Sequence, residues 1–184
     1  MTENTFANPA PLGLFGFAIT TILLSLHNAG ITELSMVILA VAVCLGGLAQ
    51  MIAGIFEMIY KNTFGATAFI AFGFFWISLA MIWTLPTIGL AQAADPISVG
   101  FYLLLFGCFT SFMFISSLTH AKILQVLFGV VSVLFFLLAT ADFTGISILT
   151  TIGGYLGIFL GAAALYASVG MVINNDWNKE IFKL

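Results

Sequence analysis

The sequence predicts an all-α membrane protein of six transmembrane helices, and three observations carry that reading. Of 184 residues, 62% are hydrophobic and 6% charged, against about 25% charged in a soluble domain, and the mean hydropathy is +1.21. That much apolar surface exceeds the needs of a soluble core, so the solvent is largely lipid. Six windows, near residues 10–28, 34–60, 64–85, 97–118, 121–141 and 147–173, meet or approach the ~20 apolar residues that cross a bilayer core. The cations also segregate. Lys61 falls between the second and third windows, Lys122 between the fourth and fifth, and Lys179 and Lys183 after the sixth. Six spans put all four on the face of the N-terminus, while Glu33, Asp95 and Asp142 lie on the other face with no cation. By the positive-inside rule both termini are cytoplasmic in a multi-pass plasma-membrane protein; five spans would break the segregation.

The breaks between windows are made of turn and polar residues: His27-Asn28-Ala29-Gly30, Lys61-Asn62-Thr63, the stretch from Pro86 to Ser98, Thr119-His120, and Ala141-Asp142-Phe143-Thr144-Gly145. Pro86 and Pro96 bracket the only long loop, as expected of a helix end and a following start. The chain reads as a single six-span domain, 1–184, with a short N-terminal segment 1–9 and a tail 174–184. Trp177 in that tail suits the membrane interface. Met1 to Asn8 carries no lysine or arginine, so no signal peptide is read there.

The first window opens on Asn8-Pro9-Ala10-Pro11-Leu12-Gly13-Leu14. Asparagine caps a helix and proline suits its first turn, which aims a positive dipole end at the mouth of the bundle. Phe17, Thr20, Thr21, Leu24, His27 and Asn28 then recur at helical spacing and make a mixed aromatic and polar face, better matched to a narrow, partly wet path than to lipid. In the second window Gln50 and Glu57, seven residues apart, share a helix face about 10 Å apart along the axis. Lys61 follows Glu57 at i+4, the favourable order for an ion pair. Glu57 is therefore read either as half of a snorkelled surface pair or as a vestibule group that carries protons. Gln125 reads as an interhelical hydrogen-bonder, and His120 is given no role. In the sixth window Gly153, Gly157, Gly161, Ala164 and Ser168 form a stripe of small residues, as Gly46, Gly47, Ala49, Ala53 and Gly54 do in the second. Such stripes let backbones approach closely in lipid, either inside one protomer or between subunits.

Several function classes are excluded or disfavoured. There is no arginine, and four lysines make no basic footprint for nucleic acid. Cys44 and Cys108 lie in apolar runs with neither metal nor disulfide spacing, so both read as small buried hydrophobes; no metal, cofactor or catalytic residue is expected. An intramembrane enzyme needs a nucleophile and a base at one depth, but His27 and His120 fall at opposite faces. Asn8-Pro9-Ala10 spells the water-channel motif, yet it occurs once where two half-helices are needed.

The longer string is more specific. Asn8 to Leu14, with Phe15-Gly16-Phe17 and Thr20-Thr21-Ile22-Leu23-Leu24-Ser25-Leu26-His27-Asn28, closely resembles the acetate uptake transporter family, which includes bacterial succinate–acetate permeases and fungal acetate transporters. Gly46-Gly47-Leu48-Ala49-Gln50, Gly54, Glu57, Asn62-Thr63-Phe64-Gly65, Thr67-Ala68-Phe69 and Phe112-Met113-Phe114 extend the resemblance over essentially the whole chain. It implies a six-helix protomer with its own central pore, assembled as a homohexamer. It also implies passage of acetate and, in some members, succinate, with activity tied to protons. A hydrophobic constriction is implied at Phe17, Phe72 and Val131. Phe72 stands where bacterial relatives have tyrosine and Val131 where they have leucine, which removes one hydroxyl and widens the gap. Thr20, Gln50, Asn62 and Thr63 are placed to donate hydrogen bonds along the substrate pathway, with Glu57, His27 and Asn28. Without arginine, carboxylate binding is expected to be weak, which suits passage. The alternative is a channel for ammonia or another small neutral solute, which also fits a hydrophobic collar.

Overall fold

The computed structural model describes residues 7–184; of the N-terminal segment 1–9, residues 1–6 lie outside it. Among the described residues, six helices are long and apolar enough to cross a membrane: α1 Ala10–Asn28, α2 Met36–Ile59, α3 Thr63–Ile88, α4 Pro96–Ser117, α5 Lys122–Thr144 and α6 Ser147–Asp176. The last turn of α3, Pro86–Ile88, is a 3₁₀ turn. These follow the six hydropathy windows within a few residues.

The helix ends explain the boundaries. The side chain of Asn62 caps α3 by accepting from Gly65 N. Asp95 caps α4, accepting from Ser98 N at 2.9 Å and from the Ser98 hydroxyl at 2.6 Å. The Ser98 hydroxyl and then its amide hold the Asp95 carboxyl below the usual carboxylate range. Gly145, at φ +69°, ends α5 in the left-handed conformation that glycine adopts without cost. At the end of α2 the same role falls to Lys61, at φ +61°. Asn62 N donates to Glu57 O and Lys61 N to Met58 O, both at 3.0 Å, the bond pair of a Schellman motif. A lysine there carries a steric cost that glycine lacks. Lys61→Gly is therefore expected to stabilise the protein by ~1 kcal/mol, read as a raised melting temperature in detergent.

Within α2 the segment Ala42–Ala49 is π-helical. Nineteen residues separate Ile38 from Glu57, about 5.3 turns at 3.6 residues per turn. A π segment takes up an extra residue and brings the interval close to five whole turns. Ile38 and Glu57 are both 3% exposed, while Val43, Leu48, Ile52 and Ile55 face outward.

The helices close a ring in chain order: α1 packs on α2, α2 on α3, α3 on α4, α4 on α5, α5 on α6, and α6 back on α1. The α1–α6 and α4–α5 contacts are the most extensive and the α3–α4 seam is the slightest. That seam is held by Tyr102, whose ring stacks on Phe75 at 5.5 Å and whose hydroxyl shares a 2.7 Å bond with the Ser78 hydroxyl.

The small-residue stripe of α6 is spent inside the protomer. Gly154 lies directly on the backbone of Asn28 and Ala29, Gly157 on the Ser25 side chain, and Gly161 on Ile22 and the Ala18 carbonyl. Ser168 completes the join by donating to Pro11 O at 2.7 Å. In α1, Gly16 lies on the Leu45 carbonyl of the π segment. Of the two uses read from these stripes, the contacts are those of packing within one chain. The two cysteines depart from expectation: Cys44 and Cys108 are exposed on the outer surface of the bundle rather than buried among the helices of the chain. Gln125 donates to His120 O at 3.0 Å and so ties the α4–α5 turn.

Candidate functional site: a two-chambered path

Two cavities lie inside the ring. The near cavity, about 90 Å³, opens toward the N-terminal face of the bundle and is lined from the start of α1, the α2–α3 turn, the α4–α5 turn and the first half of α5. The far cavity, about 280 Å³, is lined from the end of α1, the middle and end of α3, the start of α4 and the second half of α5. Among the described residues, only Phe17, Phe72 and Val131 line both. These come from α1, α3 and α5 and are all buried. The Phe17 and Phe72 rings meet edge to face at 5.3 Å between centroids, and Phe72 stacks on Phe135 at 6.3 Å. An apolar waist thus separates two chambers that each hold polar groups.

In the near chamber Glu57 is buried, and its Oε2 accepts from Asn62 Nδ2 at 2.7 Å. The expected Glu57–Lys61 ion pair does not form. The left-handed backbone at Lys61 belongs to the helix end, its side chain is exposed, and Asn62, one residue on, takes its place. Gly65 sits against both the Asn62 amide and the Glu57 carboxylate, so its missing side chain leaves them room. Gln50 is 1% exposed, and its Oε1 has no hydrogen-bond partner among the described residues. His120, given no role by the sequence, lines this chamber with its ring stacked on Phe64 at 4.3 Å. Its Nδ1 lies 3.2 Å from Ser116 O. The same Nδ1 lies 3.1 Å from the Thr119 hydroxyl, which itself donates to Ser116 O at 3.0 Å.

In the far chamber Thr21, His27 and Asn28 line the wall. His27 Nδ1 donates to Thr32 O at 3.1 Å. Thr21 Oγ1 and Trp76 Nε1 are buried with no partner among the described residues. Asp142 also lines the wall and accepts no hydrogen bond from the described residues.

Thr20 and Thr63 line neither cavity. Thr20 is fully buried between α1 and the π segment, donating to Gly16 O at 2.8 Å; Thr63 is exposed on the first turn of α3. In the N-terminal motif Asn8 Oδ1 accepts from Ala10 N at 3.0 Å, and the helix starts at Ala10, with Pro9 just before it and Pro11 in its first turn. Ala10 and Leu14 face the near chamber, Gly13 packs on the Phe69 ring, and Leu12 is exposed. Asp142 had a legible signal: Val131, Leu134, Phe135, Leu138 and Asp142 form one helical stripe along α5. His120, in a turn, had none.

Six spanning helices ringed about two chambers define a multi-pass membrane protein with an internal path. The chain matches the GPR1/FUN34/yaaH family over residues 1–181 and belongs to it. It is 42% identical, over all of its length and 98% of the relative's, to the succinate-acetate/proton symporter SatP of Escherichia coli K12. It is 34% identical to acetate permease A of Emericella nidulans, covering 93% of this chain and 63% of that one. It is 43% identical to the ammonia transport outward protein 2 of Saccharomyces cerevisiae, covering 89% and 60%. A solved structure of the bacterial acetate channel SatP superposes with a TM-score of 0.96 at 43% identity, covering 97% of this chain and 98% of that one.

Proposed function

We propose that the protein carries acetate and related small carboxylates, succinate among them, across the plasma membrane through the two-chambered path, linked to protons. The observation that carries this reading is that Phe17, Phe72 and Val131 line both chambers, which supports reading the trio as the pore constriction. An aromatic and aliphatic collar suits the methyl end of acetate and opposes a bare charge. Gln50, Glu57 and Asn62 on the near side, and Thr21, His27 and Asn28 on the far side, supply hydrogen-bonding groups along the approach. The lysines of the near face support a reading with both termini in the cytoplasm and the far chamber opening outward. The resemblance to the family, and the many large apolar side chains exposed on α2 and α4, support assembly as a homohexamer with one path per protomer. The relatives are named as transporters and channels, and the protein is read as a transporter with no enzymatic activity.

Purified protein in proteoliposomes is expected to pass labelled acetate, with little flux of water or methylamine, across a pH series. Methylamine flux without acetate flux would overturn this reading. It would favour the second one, an ammonia channel, to which the fungal relative and the uncharged waist point.

A further inference from the structure

Each chamber holds one carboxylic acid and one imidazole, and the waist between them holds neither. On the near side these are Glu57 and His120, on the far side Asp142 and His27. The four come from separate parts of the fold: α2, the α4–α5 turn, the last turn of α5 and the last turn of α1. The imidazoles are fixed alike. Each has Nδ1 within hydrogen-bond distance of a main-chain carbonyl, that of His120 beside the Thr119 hydroxyl as well, and neither Nε2 makes a hydrogen bond with the described residues, which leaves it open to exchange a proton. Other ionisable groups stand apart. Lys61 and Lys122 are exposed on the near face, and Glu33 and Asp95 on the far face, outside the chamber linings. Tyr60 donates its hydroxyl to Ala7 O, and Tyr102 is engaged with Ser78 and Phe75.

A carboxylate pressed between Phe17, Phe72 and Val131 loses its hydration with no donor to replace it. The undissociated acid avoids that cost, but a proton must then be given on one side of the waist and recovered on the other. We infer that Asp142 with His27 and Glu57 with His120 are the two proton-exchange stations of the path, so that the species crossing the waist is the neutral acid. This deepens the transport reading and rests on it. In uptake, protonated Asp142 transfers its proton to a carboxylate oxygen of the substrate. The side chain's O–H bond breaks, the acid's O–H bond forms, and His27 returns a proton from outer water to Asp142. Beyond the waist the acid's O–H bond breaks and Glu57 takes the proton, which leaves through His120 to near-side water. One carboxylate and one proton cross together, and each station is restored from water on its own side.

The test is initial uptake of labelled acetate into oriented proteoliposomes at outer pH 7 and outer pH 5. At pH 7 well under ~1% of a simple carboxylic acid is undissociated in bulk water, so the station supplies the acid; near pH 5 bulk water supplies a substantial fraction of it. Asp142→Asn is expected to lower the ratio of pH 7 to pH 5 uptake by about tenfold or more, and Asp142→Glu to restore it. Glu57→Gln is expected to lower the corresponding ratio for efflux. An unchanged ratio in Asp142→Asn overturns the proposal, as does a fall by the same factor at both pH values. If Asp142→Asn gives no monodisperse protein, His27→Gln decides on the same ratio, and no change overturns the proposal. Acetate uptake by the wild type with no effect of these variants on the ratio sinks the stations alone. No uptake by the wild type at either pH sinks the transport reading and the stations with it.

Discussion

Phe17→Ala is expected to raise acetate flux roughly tenfold, equivalent to ~1.4 kcal/mol off the barrier, and to let larger carboxylic acids through. Among the described residues, Phe17 is one of only three side chains that line both chambers, and its ring stands edge-on to Phe72. Truncation to a methyl merges the chambers and allows water into a gap whose dryness is the barrier. Flux of labelled acetate and of a series of longer acids checks the prediction. Phe17→Leu, which keeps most of the volume, should retain the wild-type size profile. An unchanged profile in Phe17→Ala would move the constriction elsewhere. Loss of folded protein would be a packing effect of the kind a buried Phe→Ala change brings, and size-exclusion chromatography separates the two.

Gly154→Ala is expected to cost about 3 kcal/mol or more and to leave little protein in a monodisperse peak. A methyl there meets the backbone of Asn28 and Ala29 at the end of α1. Backbone cannot rotate aside as a side chain can, so the α1–α6 pair must part, and the far chamber loses the wall that His27 and Asn28 provide. Gly129→Ala is the control. Its added methyl meets only the edge of the Phe114 ring at 3.2 Å, a half-exposed side chain rather than backbone. Thermal unfolding in detergent should separate the variants clearly.

The spans were legible because crossing a membrane demands a hydrophobic length, and that demand is written along the chain in one dimension. The stripe on α6 was legible as a close contact. What was not legible depends on which neighbour a face meets. Thr20 lies among the polar residues of α1, yet it turns toward the π segment of α2, whose geometry no hydropathy pattern announces. Glu57 had an ideal helical partner in Lys61 by spacing, but the helix ends there in a left-handed turn and hands the contact to Asn62. Asp142 was grouped with a loop, although eleven residues from Val131 is about three turns and keeps it on the same stripe. His120 enters its chamber only because the α4–α5 turn folds over Phe64.

The broad α1–α6 join has a temporal consequence. During synthesis the first span emerges long before the sixth, so Ser25, Ile22 and the bare backbone at Ala18 and Ala29 must wait for their cover. The ring is thus a clasp whose opening helix is made first of the six and whose closing helix is made last.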